Sequence, residues 1–133
     1  MHPPKPAPLL TSALRIAAAL LFLAMSAGLF VGGAQPVAVN LFPWPWGKLV
    51  HSVTFGVLAL AVAIASGRRG WHMAAAGFLA SVTVGALDEW HQAYLPGRHG
   101  QISDIGFDAV GAALGVAIWA WIQPRITRKT GGE

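Results

Sequence analysis

The chain has 133 residues, of which 55% are hydrophobic and only 11% charged. Soluble domains carry about 25% charged residues, so this composition, with a mean hydropathy of +0.56, excludes an ordinary soluble protein and predicts an integral membrane protein. The formal charge of +4 comes from nine Lys and Arg residues scattered around apolar segments, which is typical of topology signals and argues against nucleic acid as a partner. Without cysteine, the chain can form neither disulfides nor thiolate metal sites.

Four apolar runs follow one another along the chain, each close to the roughly 20 residues that a helix needs to cross the hydrocarbon core. Lipid offers no hydrogen-bond partners to the backbone, so each run is expected to be helical. We therefore predict an all-α fold, a polytopic membrane protein with a single domain over residues 1–133. The four transmembrane helices of the bundle are expected at about residues 13–31, 48–66, 71–92 and 105–122.

The first apolar run could also be a secretory signal peptide, because Lys5 and Arg15 precede it and small residues follow it before Gln35. Its length favours an uncleaved anchor, since the apolar part of a signal peptide is usually about 7–15 residues long. The orientation of the later helices is the same under both interpretations.

The basic residues indicate the orientation of the bundle. Seven of them are assigned to one side of the membrane: Lys5, Arg15, Arg68, Arg69, Arg125, Arg128 and Lys129. Only Lys48 and Arg98 are assigned to the other side. By the positive-inside rule, both termini are expected in the cytoplasm.

Polar residues gather at the opposite, extracytoplasmic end of the predicted helices. Four of the chain's five acidic residues lie between positions 88 and 108. The polar cluster, as we call it, consists of Lys48, His51, Asp88, Glu89, His91, Gln92, Arg98, Asp104 and Asp108. Charges at membrane depth are costly and usually face the bundle interior, where they pair with one another or mark a functional site.

Helical spacing places several of these residues on common faces. Asp88 and Gln92 are four residues apart, as are Asp104 and Asp108, so each pair shares one face of its helix. Small residues continue these faces and are predicted to let the helices approach closely: Gly77, Ser81 and Gly85 on the third helix, Gly111 and Gly115 on the fourth.

The segments "KLVHSVTFGVLAL", "DEWHQAYLPGRHG" and "SDIGFDAVGAALG" resemble the VanZ-like family of small bacterial membrane proteins, whose namesake is linked to teicoplanin resistance. The resemblance implies a multi-pass protein of the bacterial cytoplasmic membrane. The chain departs from the pattern of that family at Asp108, where many relatives have Asn. The polar residues that it shares with the family are Lys48, His51, Glu89, Gln92, Arg98, Asp104 and Asp108.

Three functions are compatible with this pattern. The leading hypothesis is a cell-envelope protein whose outer-leaflet pocket uses Lys48 and Arg98 to bind an anionic component, such as a lipid-linked or peptidoglycan-related precursor, with a possible effect on glycopeptide susceptibility. An intramembrane hydrolase or transferase acting on a lipid, with His51 or Glu89 as general base, is a second hypothesis. An oligomeric proton or ion pathway is the third.

We favour a non-enzymatic role over catalysis, with membrane lipids as partners and a homo-oligomer as one possible state. A metal site built from His51, Glu89, His91 and Asp104 is the least favoured interpretation, because the sequence has no H-E-x-x-H spacing. No metal and no cofactor are therefore expected.

Overall fold

The structure, a computed structural model, describes residues 8–39 and 41–129, and these contain four long helices and no strand. The helices are α1 (Pro8–Gly33), α2 (Trp46–Ser66), α3 (Gly70–Gln92) and α4 (Ile102–Lys129), with a short 3-10 helix at Pro36–Ala38 after α1. This confirms the all-α prediction. All four helices are long and apolar enough to cross a membrane, through the segments Ser12–Gly33, Trp46–Ser66, Gly70–Gln92 and Ile102–Ile126.

The helix boundaries differ from the prediction mainly at α1 and α4. Helix α1 begins at Pro8 instead of residue 13, and α4 runs over Ile102–Lys129 instead of 105–122. The prediction followed the apolar runs, whereas helical hydrogen bonding continues into the more polar flanks, even past Pro124. Lys5, which the topology prediction used, lies outside the described residues.

Helix α2 is central, since it packs against α1, α3 and α4, and α3 also packs against α4. Because α3 runs back between them, α2 and α4 are parallel and begin at the same end of the bundle. We call this the polar end. Two apolar clusters fill the interior, one of Phe55, Leu58 and Val84, the other of Ala59, Ala63, Met73, Ala112 and Val116.

The approach of α2 to α4 depends on small residues. A Cβ atom on Gly111 would overlap the backbone oxygen of Ser52, and one on Gly115 would overlap that of Gly56. On α3, a Cβ on Gly77 would lie 2.6 Å from the backbone oxygen of Ala59. Larger side chains at these positions would push the helices apart. The glycines therefore keep the polar starts of α2 and α4 within hydrogen-bonding reach.

At the opposite end, α1 is tied to the last turn of α2. Arg15 Nε donates a hydrogen bond of 3.0 Å to the Ala65 carbonyl, and its Nη2 lies 3.5 Å from the Ser66 carbonyl. A cation is favoured there because the last carbonyls of a helix carry partial negative charge. Gly67 ends α2 with a φ of +60°, a left-handed conformation that glycine adopts without strain.

Candidate functional site

Lys48, in the first turn of α2, contacts the first turn of α4. Its Nζ forms an ion pair with Asp104 Oδ1 and donates hydrogen bonds to Ser103 Oγ at 3.1 Å and to Gln101 Oε1 at 3.3 Å. The side chains of Lys48 and Asp104 are only 19% and 13% exposed. The ammonium group of Lys48 is therefore fully occupied by acceptors of this protein.

One turn deeper, His51 lies between the two aspartates of α4. Its Nδ1 is 2.9 Å from Asp108 Oδ1, and its Nε2 is 3.8 Å from Asp104 Oδ2. Asp108 is completely buried, because Gly85 of α3 leaves room for its carboxylate. A Cβ on Gly85 would lie 2.6 Å from Asp108 Oδ2.

A second chain of hydrogen bonds runs from α3 towards the segment that follows α1. Gln92 Nε2 donates to Asp88 Oδ2 at 2.8 Å, and Arg98 Nη1 donates to Gln92 Oε1 at 3.0 Å. Arg98 Nη2 donates to the Ala38 carbonyl at 3.2 Å. Arg98 is thus held by neutral acceptors, and it forms no ion pair with any acidic residue in the part of the chain that the structure describes.

Glu89 anchors the loop between α3 and α4. Its Oε2 accepts a hydrogen bond of 2.6 Å from the Gln101 N–H. The loop backbone is also packed on the end of α3, since a Cβ on Gly100 would lie 2.5 Å from the Glu89 carbonyl oxygen. This contact brings Gln101 and Ser103 to Lys48.

Three carboxylates of the polar cluster each keep one buried oxygen without a hydrogen-bond partner among the described residues. These oxygens are Asp88 Oδ1, Glu89 Oε1 and Asp108 Oδ2. The three residues are 2%, 5% and 0% exposed. Burying a neutral polar group without a partner costs on the order of 1–3 kcal/mol, and burying an unpaired carboxylate costs more. The arrangement therefore favours a cation or hydrogen-bond donors at this end of the bundle.

His91 does not join the other members of the polar cluster. Its ring packs against Phe30 of α1, with ring centroids 5.5 Å apart. Together with Leu87, Trp90 and Tyr94, these two residues line a groove of about 380 Å³ between α1 and α3. The groove is almost wholly apolar and opens outward.

Of the four residues considered for a metal site, the structure brings three together. His51, Glu89 and Asp104 each offer one ligand atom, and these atoms lie within 4.8 Å of one another. His91 contributes to the groove instead. Donors at these separations could hold one divalent cation after small side-chain movements.

Most of the residues that the sequence interpretation missed lie at or next to the ends of helices. Gln101, Ser103 and the Ala38 carbonyl all bind members of the polar cluster. Gly85 was assigned to helix packing, and its contact with the Asp108 carboxylate was not foreseen. The one available signal was that Gln101 and Ser103 flank the start of an acidic helix whose parallel neighbour carries Lys48.

A comparison with models of protein families identifies the family of this chain. The VanZ/LLP1 family model matches residues 9–123. The chain belongs to the VanZ/LLP1 family. The match includes every residue of the polar cluster and most of each membrane-spanning segment, which confirms the family suggested by the sequence. Neither the curated proteins nor the solved structures gave a match to this VanZ/LLP1 chain.

Proposed function

We propose that this VanZ/LLP1 protein binds an anionic lipid of the cell envelope, with Arg98 contacting the phosphate and the apolar groove holding part of the hydrocarbon chain. A lipid-linked envelope precursor has both chemical features. Binding such a precursor would connect the protein to glycopeptide susceptibility. The proposal places the polar end at the outer leaflet of the bacterial cytoplasmic membrane.

The observation that carries this proposal is that Arg98 forms no ion pair among the described residues. Its guanidinium is half-buried and held by Gln92 and Ala38, and its Nε is buried without a partner among the described residues. Lys48, in contrast, is neutralised by Asp104. An arginine in a membrane favours an acidic or phosphate partner, and guanidinium and phosphate form strong bidentate hydrogen bonds. Of the two cations first considered, Arg98 is therefore the one available to a ligand.

The groove supports a lipid over a small soluble anion. It lies between α1 and α3, and Arg98 joins the end of α3, through Gln92, to the segment after α1. His91 and Gln92 are neighbours in sequence, so the groove and the guanidinium are at the same end of the same helix pair. A phosphate with an attached hydrocarbon chain would use both.

The test is lipid retention by the purified protein in a maltoside detergent, measured by native mass spectrometry with polyprenyl phosphate and, as the neutral counterpart, polyprenol. We expect wild type to prefer the phosphate, and Arg98→Gln to lower that affinity at least about tenfold, as expected for loss of a charge-assisted hydrogen bond. Arg98→Lys should retain part of the affinity. Arg69→Gln, at the opposite end, is the matched control. Equal retention of both lipids by wild type, or undiminished binding by Arg98→Gln, would refute the proposal.

An intramembrane hydrolase or transferase is a second candidate, favoured by the pairing of His51 with buried Asp108. A histidine oriented through Nδ1 by a carboxylate presents Nε2 as a base. Release of phosphate from a polyprenyl diphosphate, lost in His51→Gln, would support it. An ion pathway is not proposed. Among the described residues, the half of the bundle that lies away from the polar end is filled by the apolar cluster around Met73.

A further inference from the structure

A group of three potential metal ligands lies beside the Arg98 site and is not used by the proposed lipid contact. His51 of α2, Glu89 of α3 and Asp104 of α4 offer donor atoms within 4.8 Å of one another. The His51 Nε2 and Asp104 Oδ2 atoms are 3.8 Å apart. Two atoms bound to one tetrahedral Zn²⁺ at about 2.0–2.2 Å lie about 3.3–3.6 Å apart, so His51 and Asp104 are already close to the required spacing, and the Glu89 carboxylate has to approach them by roughly 1 Å.

The histidine is oriented as a metal-binding histidine should be. Its Nδ1 lies 2.9 Å from Oδ1 of completely buried Asp108. An ionised carboxylate can only accept, so Nδ1 carries the hydrogen, and in the neutral imidazole Nε2 keeps the lone pair that a metal ion needs. Metal-binding histidines almost always donate their second ring N–H to a carboxylate or carbonyl in this way.

The glutamate supplies an independent indication of a ligand. Glu89 is 5% exposed, and its Oε1 is buried without a partner among the described residues, while Oε2 accepts the Gln101 N–H. This rigid hydrogen bond holds the carboxylate in place. The free oxygen is therefore preorganised for a positively charged or hydrogen-bonding ligand.

The charge of the cluster also favours a divalent cation. Among the described residues of the polar cluster, the four carboxylates of Asp88, Glu89, Asp104 and Asp108 outnumber the two cations, Lys48 and Arg98, so the cluster has a net charge of −2 when its histidines are neutral. Lys48 binds Oδ1 of Asp104 and leaves Oδ2 available. A single M²⁺ ion would balance the charge of the cluster.

We propose that His51 Nε2, Glu89 Oε1 and Asp104 Oδ2 bind a divalent metal ion that accepts nitrogen and oxygen ligands, with Zn²⁺ as the best match. Asp108 is the positioning residue for His51. Three protein ligands leave a coordination position for water or a ligand oxygen, as in zinc sites that act on substrates. This site does not depend on Arg98, so it stands or falls separately from the lipid-binding proposal.

The experiment titrates the purified protein, with its affinity tag removed, with Zn²⁺ against a chromophoric chelator. Metal analysis after dialysis gives the stoichiometry. We expect one Zn²⁺ per wild-type chain. We expect at least about 100-fold weaker binding for His51→Gln and Glu89→Gln, and about 10- to 100-fold weaker binding for Asp108→Ala. His99→Ala, in the exposed loop after α3, controls for adventitious binding to histidine and should bind as wild type does.

Substituting Co²⁺ gives a second readout, because the visible spectrum reports coordination by His51. The spectrum should be lost in His51→Gln, and circular dichroism shows whether each variant keeps its helices. Wild-type affinity in Glu89→Gln, or no Zn²⁺ binding by wild type above that of the His51→Gln/Glu89→Gln double variant, overturns the site. Arg98→Gln separates the two proposals, since it should lose the lipid and keep the metal.

Discussion

His51 of α2 and Asp108 of α4 are joined by a side-chain contact of 2.9 Å, and the carboxylate of this pair has no solvent exposure. The contact lies next to the close approach of α2 and α4 at Gly56, Gly111 and Gly115, which we call the glycine seam, where a Cβ on Gly111 would overlap the backbone of Ser52. Close helix packing and polar pairing are thus coupled. The parallel helices approach closely enough for a short acid on one to reach a histidine on the other.

Replacing Asp108 should therefore destabilise the bundle, and the loss should depend on whether the new side chain can still accept a hydrogen bond from His51. Asp108→Ala leaves a buried gap and an unpaired imidazole N–H, and should lower the free energy of unfolding by about 3 kcal/mol. Asp108→Asn can still accept from Nδ1 and should lower it by about 1 kcal/mol. Thermal unfolding in detergent, followed by circular dichroism, measures both. Equal losses for the two variants would show that the hydrogen bond to His51 does not matter.

At the glycine seam, the free energy of unfolding should fall steeply as side-chain size increases. Gly111→Ala puts a Cβ into the Ser52 carbonyl and should cost about 1–3 kcal/mol of the free energy of unfolding. Gly106→Ala is the matched control on the same helix, because its Cβ would meet no atom within 4 Å. It should leave stability unchanged or slightly raised, since alanine is the better helix former. A Gly111→Ala protein as stable as Gly106→Ala would contradict the packing described here.

The Lys48 and Asp104 ion pair should be visible as an energetic coupling. The two side chains are mostly buried, so mutual screening by water is limited. In a double-mutant cycle of Lys48→Gln and Asp104→Asn, with a chelator present to remove any metal contribution, we expect a coupling energy of about 1–2 kcal/mol. Additive effects of the two substitutions would mean that the pair contributes nothing to stability.

The orientation of the bundle can be tested without background, because the chain contains no cysteine. His99→Cys lies in the exposed loop between α3 and α4, and Arg69→Cys in the exposed turn between α2 and α3. The positive-inside rule predicts that a membrane-impermeant maleimide added to intact cells labels the first and not the second. Labelling of Arg69→Cys alone would show that the topology is the reverse of the predicted one, with the polar end in the cytoplasm.

Much of the fold follows from elementary constraints on the sequence. The apolar lengths were sufficient to identify four helices, and α2 and α3 begin and end within two residues of the prediction. The four-residue spacing of Asp104 and Asp108 correctly placed them on one face. The parallel arrangement of α2 and α4 then explains why this face meets Lys48 and His51.

The partners of the loop residues could not be obtained in the same way. Sequence spacing did not predict that Arg98 donates hydrogen bonds to Gln92 and to the Ala38 carbonyl. Sequence spacing defines neighbours within one helix, whereas the path of a loop depends on tertiary contacts such as that of Gly100 with α3. His91 was placed in the cluster because it lies in the last turn of α3 next to Gln92, although its ring faces the groove.

The most direct test of the central claim is whether the Arg98 guanidinium touches the phosphate of a bound lipid. Solid-state NMR can measure the coupling between ³¹P and ¹⁵N-labelled arginine in a frozen, phosphate-free maltoside sample, with polyprenyl phosphate as the only source of phosphorus. We predict guanidinium nitrogens within about 4 Å of phosphorus, as a charge-assisted hydrogen bond requires, and loss of this signal in Arg98→Gln. A coupling that persists unchanged in Arg98→Gln, or its absence from the wild-type complex, would contradict the account.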